Sequence, residues 1–187
     1  EDFFQFMVKK LTTFKQPFFT TVFSISSHDP WIIPAKYKGK FPKGNTEYHE
    51  SVAYTDYALQ RFFASAKKQP WYNNTLFIIT PDHTSGGKHI GFFDTEVGRY
   101  SIPIVFFDPG NPTLMGKESK LFEQIDILPE TLQYLNYTGT IFSFGNDPNR
   151  TKNRIVGNFN EGVYKFIIDN YFILYNGEKI ISVFDKD

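Results

Sequence analysis

The chain has 187 residues, enough for one domain or part of one, and 41% of them are hydrophobic, which supports a packed core and excludes a disordered chain. Its 20 Lys and Arg balance 20 Asp and Glu, so there is no long-range basic field and nucleic acid is not an expected partner. Without cysteine, disulfides, thiolate zinc sites and cysteine nucleophiles are excluded from it, and no apolar run reaches the roughly 18 residues of a membrane span.

Glu1-Asp2-Phe3-Phe4 is not the charged leader and apolar segment of a signal peptide, and reads as a cut into a folded chain. Phe18 to Ser26 is β-branched and aromatic and has the length of a strand, which Pro30 would end just after Ser27-His28-Asp29. A Lys-, Gly- and Pro-rich loop follows from Ile33 to Gly44. Val52, Leu59, Phe62, Phe63 and Ala66 recur at helical spacing, which predicts a helix over 47–68 ended by Gln69-Pro70. Thr75 to Thr80 is short and almost wholly apolar, as in a strand buried on both faces, and Ile102 to Phe107 is a third strand. Phe122 to Leu135 has helical spacing, with Pro129 marking a first turn or a kink.

The last part changes period. Val163 to Ile168, Tyr171 to Tyr175 and Lys179 to Phe184 are short alternating or aromatic runs, punctuated by Asp169-Asn170 and by Asn176-Gly177, a strong hairpin signal. They predict an antiparallel meander packed on the main sheet. Asn73, Asn136 and Asn149 each open an N-x-T triplet and read as turns. The element order predicts an α/β fold with a mainly parallel sheet, whose ligands gather beyond the C-terminal strand ends.

Two polar clusters fall at such predicted ends. Asp82 and His83 directly follow the run 75–80, and a carboxylate with an imidazole suits a divalent metal such as manganese or zinc. The plain alternative is that Asp82 caps a turn and His83 is an exposed loop residue. His28 follows the run 18–26 and suits phosphate binding or acid–base work, or is a loop histidine bonded to nearby backbone. His89 lies beside Gly86-Gly87, where backbone can approach a ligand closely, or is a surface histidine. Trp31 is a candidate pocket wall or a core residue. His49 is assigned no chemistry.

In order and spacing, the segments resemble the extracellular catalytic domain of the lipoteichoic acid synthases and their sulfatase-like relatives in the alkaline phosphatase superfamily. The matching stretches are Gln16-Pro17-Phe18-Phe19, Ser27-His28-Asp29-Pro30-Trp31, Tyr54-x-Asp56-x-Ala58-Leu59-x-x-Phe62-Phe63 and Trp71-Tyr72-Asn73-Asn74-Thr75. Further on come Pro81-Asp82-His83, Ile102-Pro103-Ile104, Gln124-Ile125-Asp126-Ile127-Leu128-Pro129-Glu130-Thr131-Leu132 and Phe144-Gly145-Asn146-Asp147.

The resemblance implies that 1–187 is the C-terminal part of a single sulfatase-like catalytic domain, an alkaline-phosphatase-like sandwich whose N-terminal half carries the nucleophile. It implies one divalent metal, manganese first, with zinc, magnesium or calcium as alternatives. Asp82 and His83 match two of its ligands, while the remaining Glu and the nucleophilic Thr match nothing here. His28 matches a substrate-contacting histidine, and His89 resembles a second one. Thr84 replaces the usual glycine after the Asp-His pair.

The implied activity is phosphoglycerol transfer from a lipid donor, at the extracytoplasmic face of a bacterial membrane, with a lipid-linked or glycan ester as substrate. The alternatives are a sulfatase or phosphodiester hydrolase of the same fold, or a non-catalytic binding module with a degenerate site. The isolated chain, lacking its other half, is expected to be inactive.

Overall fold

The structure is a computed structural model and describes residues 1–147 and 154–185. The chain divides into two compact units, Glu1–Met115 and Gly116–Asp187.

The first unit is built on two helices. Helix α1, Asp2–Leu11, was not foreseen, yet Phe4, Met7, Val8 and Leu11 form the i, i+3, i+4, i+7 stripe of an amphipathic helix. Asp2 in its first turn and Lys9 and Lys10 in its last complement the helix dipole. Helix α2, His49–Ala66, lies inside the expected bounds, and Pro70 follows its end. Its buried stripe is Ser51, Tyr54, Ala58, Phe62 and Ala66, which leaves Val52 about half exposed. Val8, Leu11, Phe62, Ala66, Trp71 and Tyr72 form the core of this unit. Trp71 Nε1 donates to Thr12 Oγ1 at 3.1 Å, so its one polar atom is satisfied in the core.

Strand β1, Phe77–Ile79, pairs with β2, Val105–Phe107, in the register Phe77↔Phe107, Ile78↔Phe106 and Ile79↔Val105. Here the expectation of a mainly parallel sheet fails: every sheet among the described residues is antiparallel. That expectation took α2 as a crossover from a strand over 18–26 to β1. Residues 18–26 form no strand; the Phe18 ring packs on Phe14 and Trp71, but Phe19, Phe23 and Ile25 are exposed and no ladder runs along them. Strand propensity is realised only where a neighbouring strand supplies a pleated surface. For the same reason β1 is half-buried rather than enclosed on both faces, having one partner strand and one helix.

In the second unit a single 3-10 turn at Gln124–Asp126 leads into helix α3, Ile127–Tyr134, with Pro129 in its first turn as expected. The meander has four strands in sequence order: β3 Ile155–Asn160, β4 Val163–Ile168, β5 Tyr171–Tyr175 and β6 Ile180–Asp185. Strand β3 escaped the sequence reading because Gly157, Asn158 and Asn160 dilute its pattern. Gly157 sits opposite Phe166, whose ring occupies the space a side chain would take. The β5–β6 turn uses Asn176 as expected: its Oδ1 accepts from the amides of Glu178 and Lys179 at 3.1 and 2.9 Å. Asn73 lies in a single 3-10 turn and Asn136 has φ 54° past the end of α3, both turns as read; Asn149 lies outside the described residues.

The second unit is organised around Asp126, which is fully buried. Its Oδ1 accepts from Asn146 N at 2.5 Å and Nδ2 at 2.9 Å, and its Oδ2 accepts from Glu123 N at 3.0 Å. Arg154, also buried, lies 3.5 Å from Asp126 and 3.4 Å from Glu130, which in turn pairs with Lys120 at 2.8 Å. Gly145 is required beside this network, since a Cβ there would collide with the Ile125 carbonyl. Glu123 accepts from Gly157 N at 2.6 Å, and burial pushes its carboxyl above the ordinary range.

Removing one member of a buried, hydrogen-bonded pair strands its partner. Asp126→Ala is therefore expected to destabilise this unit by about 3–5 kcal/mol, seen as a lowered midpoint in urea unfolding. A change below about 0.5 kcal/mol would show that Arg154 and the Asn146 amides find other partners.

Candidate active site

Strand β1 is fixed from one side by aromatic packing. The Phe77 ring lies 5.2 Å from Phe63, 5.7 Å from Tyr72 and 5.9 Å from Phe107. Three residues beyond Ile79 the chain reaches Asp82, so the Asp82-His83 pair issues from an anchored strand. Asp82 Oδ1 accepts from His83 N at 3.0 Å, the turn-capping contact of the plain alternative. The same pair also places Asp82 Oδ2 3.4 Å from His83 Nε2. His83 Nδ1 is 2.6 Å from the Thr84 carbonyl, and because a carbonyl only accepts, Nδ1 carries a proton; in the neutral ring Nε2 is then the nitrogen with a lone pair for a Lewis acid.

This donor set fits a divalent metal in part. Ligands about 2.0–2.2 Å from a tetrahedral ion such as zinc stand roughly 3.3–3.5 Å apart, close to the Oδ2–Nε2 separation of 3.4 Å, and a small rotation of either exposed side chain would suit the closer cis ligands of an octahedral ion such as manganese. A backbone acceptor on the far ring nitrogen is the usual support for a metal-binding histidine. Two protein ligands are nevertheless short of a complete site, and no group of three His, Cys, Asp or Glu able to hold a metal occurs among the described residues. Both side chains are more than half exposed, 52% for Asp82 and 66% for His83, which leaves room for further ligands.

Thr84, which stands where the resemblance has glycine, gains a role in the structure. Its Oγ1 donates to the Arg99 carbonyl at 2.6 Å, tying the Asp82-His83 turn to the chain segment that enters β2. Antiparallel pairing makes this tether available, because it puts the approach to β2 beside the exit from β1. A glycine could not form it.

His28 does not sit at a strand end, since 18–26 is not a strand; it lies in a turn closed by His28 N to the Ile25 carbonyl at 3.1 Å. Its ring is exposed, and Nδ1 contacts the Asp29 carbonyl at 2.8 Å. This is the backbone-bonded loop histidine of the plain alternative, but it also leaves Nε2 for a proton or a phosphoryl oxygen. Trp31 is half-buried at φ 55°, with its amide donating to the His28 carbonyl at 2.8 Å. His89 is half-buried in the loop after β1.

The residue that links these loops is Tyr48, which the sequence reading passed over. Its ring lies 6.3 Å from that of Trp31, and its hydroxyl donates to the Lys88 carbonyl at 3.0 Å. The loop carrying His28 and Trp31 thus meets the loop carrying His89 across one side chain. His49 has a structural role, consistent with its assignment to no chemistry: Nδ1 accepts from the amides of Asn45 and Thr46 at 2.9 and 3.1 Å, bracing the entry to α2.

A family model described as Sulfatase matches residues 1–137, and the chain belongs to that family. It is 24% identical over 170 residues to lipoteichoic acid synthase 1 of Bacillus subtilis (strain 168), covering 78% of this chain and 26% of that protein. It is 24% identical over 197 residues to the lipoteichoic acid synthase of Staphylococcus aureus (strain USA300), covering 90% of this chain and 29% of that protein. A crystal structure of a protein in the alkaline phosphatase superfamily from Vibrio parahaemolyticus aligns with a TM-score of 0.77 and 24% identity, over 100% of this chain and 46% of that one. The chain thus spans less than a third of the length of these two synthases. The expected alkaline-phosphatase-like α/β architecture and meander are borne out.

Thr84→Val keeps the shape of the side chain and removes the tether to Arg99. Amide hydrogen exchange over 82–86 is expected to accelerate about fivefold, as loss of one hydrogen bond of roughly 1 kcal/mol allows. Unchanged exchange there would show that the turn is held by its neighbours and not by Thr84.

Proposed function

We propose that the chain acts within a longer enzyme as the Asp-His half of a metal-dependent phospho-group transferase. The favoured reaction moves phosphoglycerol from a lipid donor to a glycerophosphate or glycan acceptor at the extracytoplasmic face of a bacterial membrane. The observation that carries this reading is the 3.4 Å pairing of Asp82 Oδ2 with His83 Nε2 beyond β1, in a chain of the sulfatase family. The likeness to two lipoteichoic acid synthases supports the substrate class. No helix among the described residues is long and apolar enough to cross a membrane.

In this reading Asp82 and His83 hold one divalent ion, manganese first, together with ligands supplied by the rest of the domain. Bound there, such an ion offsets charge on phosphoryl oxygens and lowers the pKa of a hydroxyl nucleophile. That hydroxyl, from a Thr outside this chain, gives up its proton to solvent and attacks phosphorus; the P–O bond to the donor alcohol breaks, and the alcohol oxygen takes up a proton. An acceptor hydroxyl then loses its proton and attacks the same phosphorus, the P–O bond to Thr breaks, and the Thr hydroxyl is restored. His28, through Nε2, binds a phosphoryl oxygen or gives the donor alcohol its proton. Trp31 walls the substrate site, and His89 adds a second contact to the phosphoryl group.

The match to the sulfatase family model favours a second reading, hydrolysis of a sulfate ester on the same residues. The nucleophile separates them: a Thr serves phospho-transfer, whereas a Cys or Ser converted to formylglycine serves sulfate hydrolysis.

In the full-length protein, His83→Ala is expected to cut manganese-dependent turnover of a phosphodiester at least about 100-fold, the several kcal/mol that a metal supplies. In the absence of manganese the thermal unfolding midpoint should stay unchanged, because the side chain is 66% exposed. Wild-type turnover with unaltered manganese content would refute the assignment.

A further inference from the structure

We propose that Tyr48 is a positioning residue that couples the His28 loop to the His89 loop and so sets the spacing of the two substrate-facing histidines. The proposal rests on the phospho-transfer reading above, but the coupling itself stands on three separate observations. The ring of Tyr48 packs at 58° on that of Trp31, with centroids 6.3 Å apart. Trp31 is bound back to the His28 carbonyl at 2.8 Å while at φ 55°, a conformation rare for a bulky residue and kept only where contacts enforce it. On the other side the Tyr48 hydroxyl donates to the carbonyl of Lys88, the residue before His89, at 3.0 Å.

Gly87 completes the fit. A Cβ on it would stand 3.1 Å from Tyr48 Cδ1 and 2.8 Å from the end of the flexible Glu47 side chain, so an added side chain would press on the Tyr48 ring by a few tenths of an ångström. Gly86, by contrast, has open space where a side chain would go. Of the glycine pair, Gly87 is therefore the one that lies against Tyr48. Tyr48 directly precedes α2, whose buried stripe fixes it to the core, so both loops are referenced to one rigid element.

Two variants dissect the coupling in the manganese-loaded full-length enzyme, with bis(p-nitrophenyl) phosphate as probe. Tyr48→Phe keeps the ring on Trp31 and removes only the bond to Lys88. Tyr48→Leu removes both contacts. In hydrogen-exchange mass spectrometry, Tyr48→Phe should loosen 85–90 and leave 28–33 protected, whereas Tyr48→Leu should loosen both. KM should rise about three- to tenfold in Tyr48→Phe, as expected for one hydrogen bond, and further in Tyr48→Leu, with a smaller effect on kcat. An unchanged KM beside a lowered unfolding midpoint would make Tyr48 a packing residue and overturn the proposal. If the wild-type enzyme turns over no diester, the reaction class fails, and exchange alone decides the coupling: loosening of both loops in Tyr48→Leu supports it, and protection of either overturns it.

Discussion

The packing of Phe77 is the contact on which the candidate site depends. The β1–β2 ladder holds only three residue pairs, and a two-stranded pairing of that size is marginal in water. Phe77 brings it the rings of Phe62, Phe63, Trp71, Tyr72 and Phe107, all within 6.4 Å. Each such contact adds roughly 0.5–1.5 kcal/mol beyond the area it buries, so the aromatic cluster, more than the ladder, anchors β1 on α2. Everything downstream inherits that anchor: the strand fixes the turn of Asp82, Thr84 ties the turn to the start of β2, and Tyr48 holds the next loop. The high aromatic content is therefore what lets two short strands support an exposed Asp-His pair.

Several matching stretches have an architectural explanation. Asp126, Gly145 and Asn146 share one buried network, in which Asp126 receives the Asn146 amides and Gly145 permits the close approach of the Ile125 carbonyl. The likeness in Gln124 to Leu132 and Phe144 to Asp147 reports how this unit is built, and carries no information on the reaction. Asp82, His83 and His28 are the residues on which a chemical argument stands. Thr84 belongs to both kinds, since its hydroxyl holds the turn and its carbonyl fixes the His83 ring.

The fold was legible in the sequence where a pattern is local. Helix α2, the first-turn place of Pro129 and strands β4 and β5 follow from spacing and turn residues within a few positions of each other. Residues 18–26 show the limit: their composition suits a strand, but a strand also needs a partner, and none pairs with them among the described residues. The direction of β1 against β2 was hidden for the same reason, because it depends on how the 25 residues between them return. Within the site, Asp82 and His83 were visible as adjacent donors after an apolar run. Tyr48 was not, since its role arises from two loops, at Trp31 and Lys88, that are distant in sequence and meet only on folding.

The central claim is that Asp82 and His83 are metal ligands, His83 through Nε2. A crystal structure of the full-length protein grown with manganese, with anomalous data at the manganese edge, tests it most directly. The expected result is one anomalous peak within about 2.0–2.3 Å of an Asp82 carboxylate oxygen and of His83 Nε2, with Nδ1 still bonded to the Thr84 carbonyl. A peak elsewhere in the protein, or coordination through Nδ1 with the Thr84 contact broken, would contradict it.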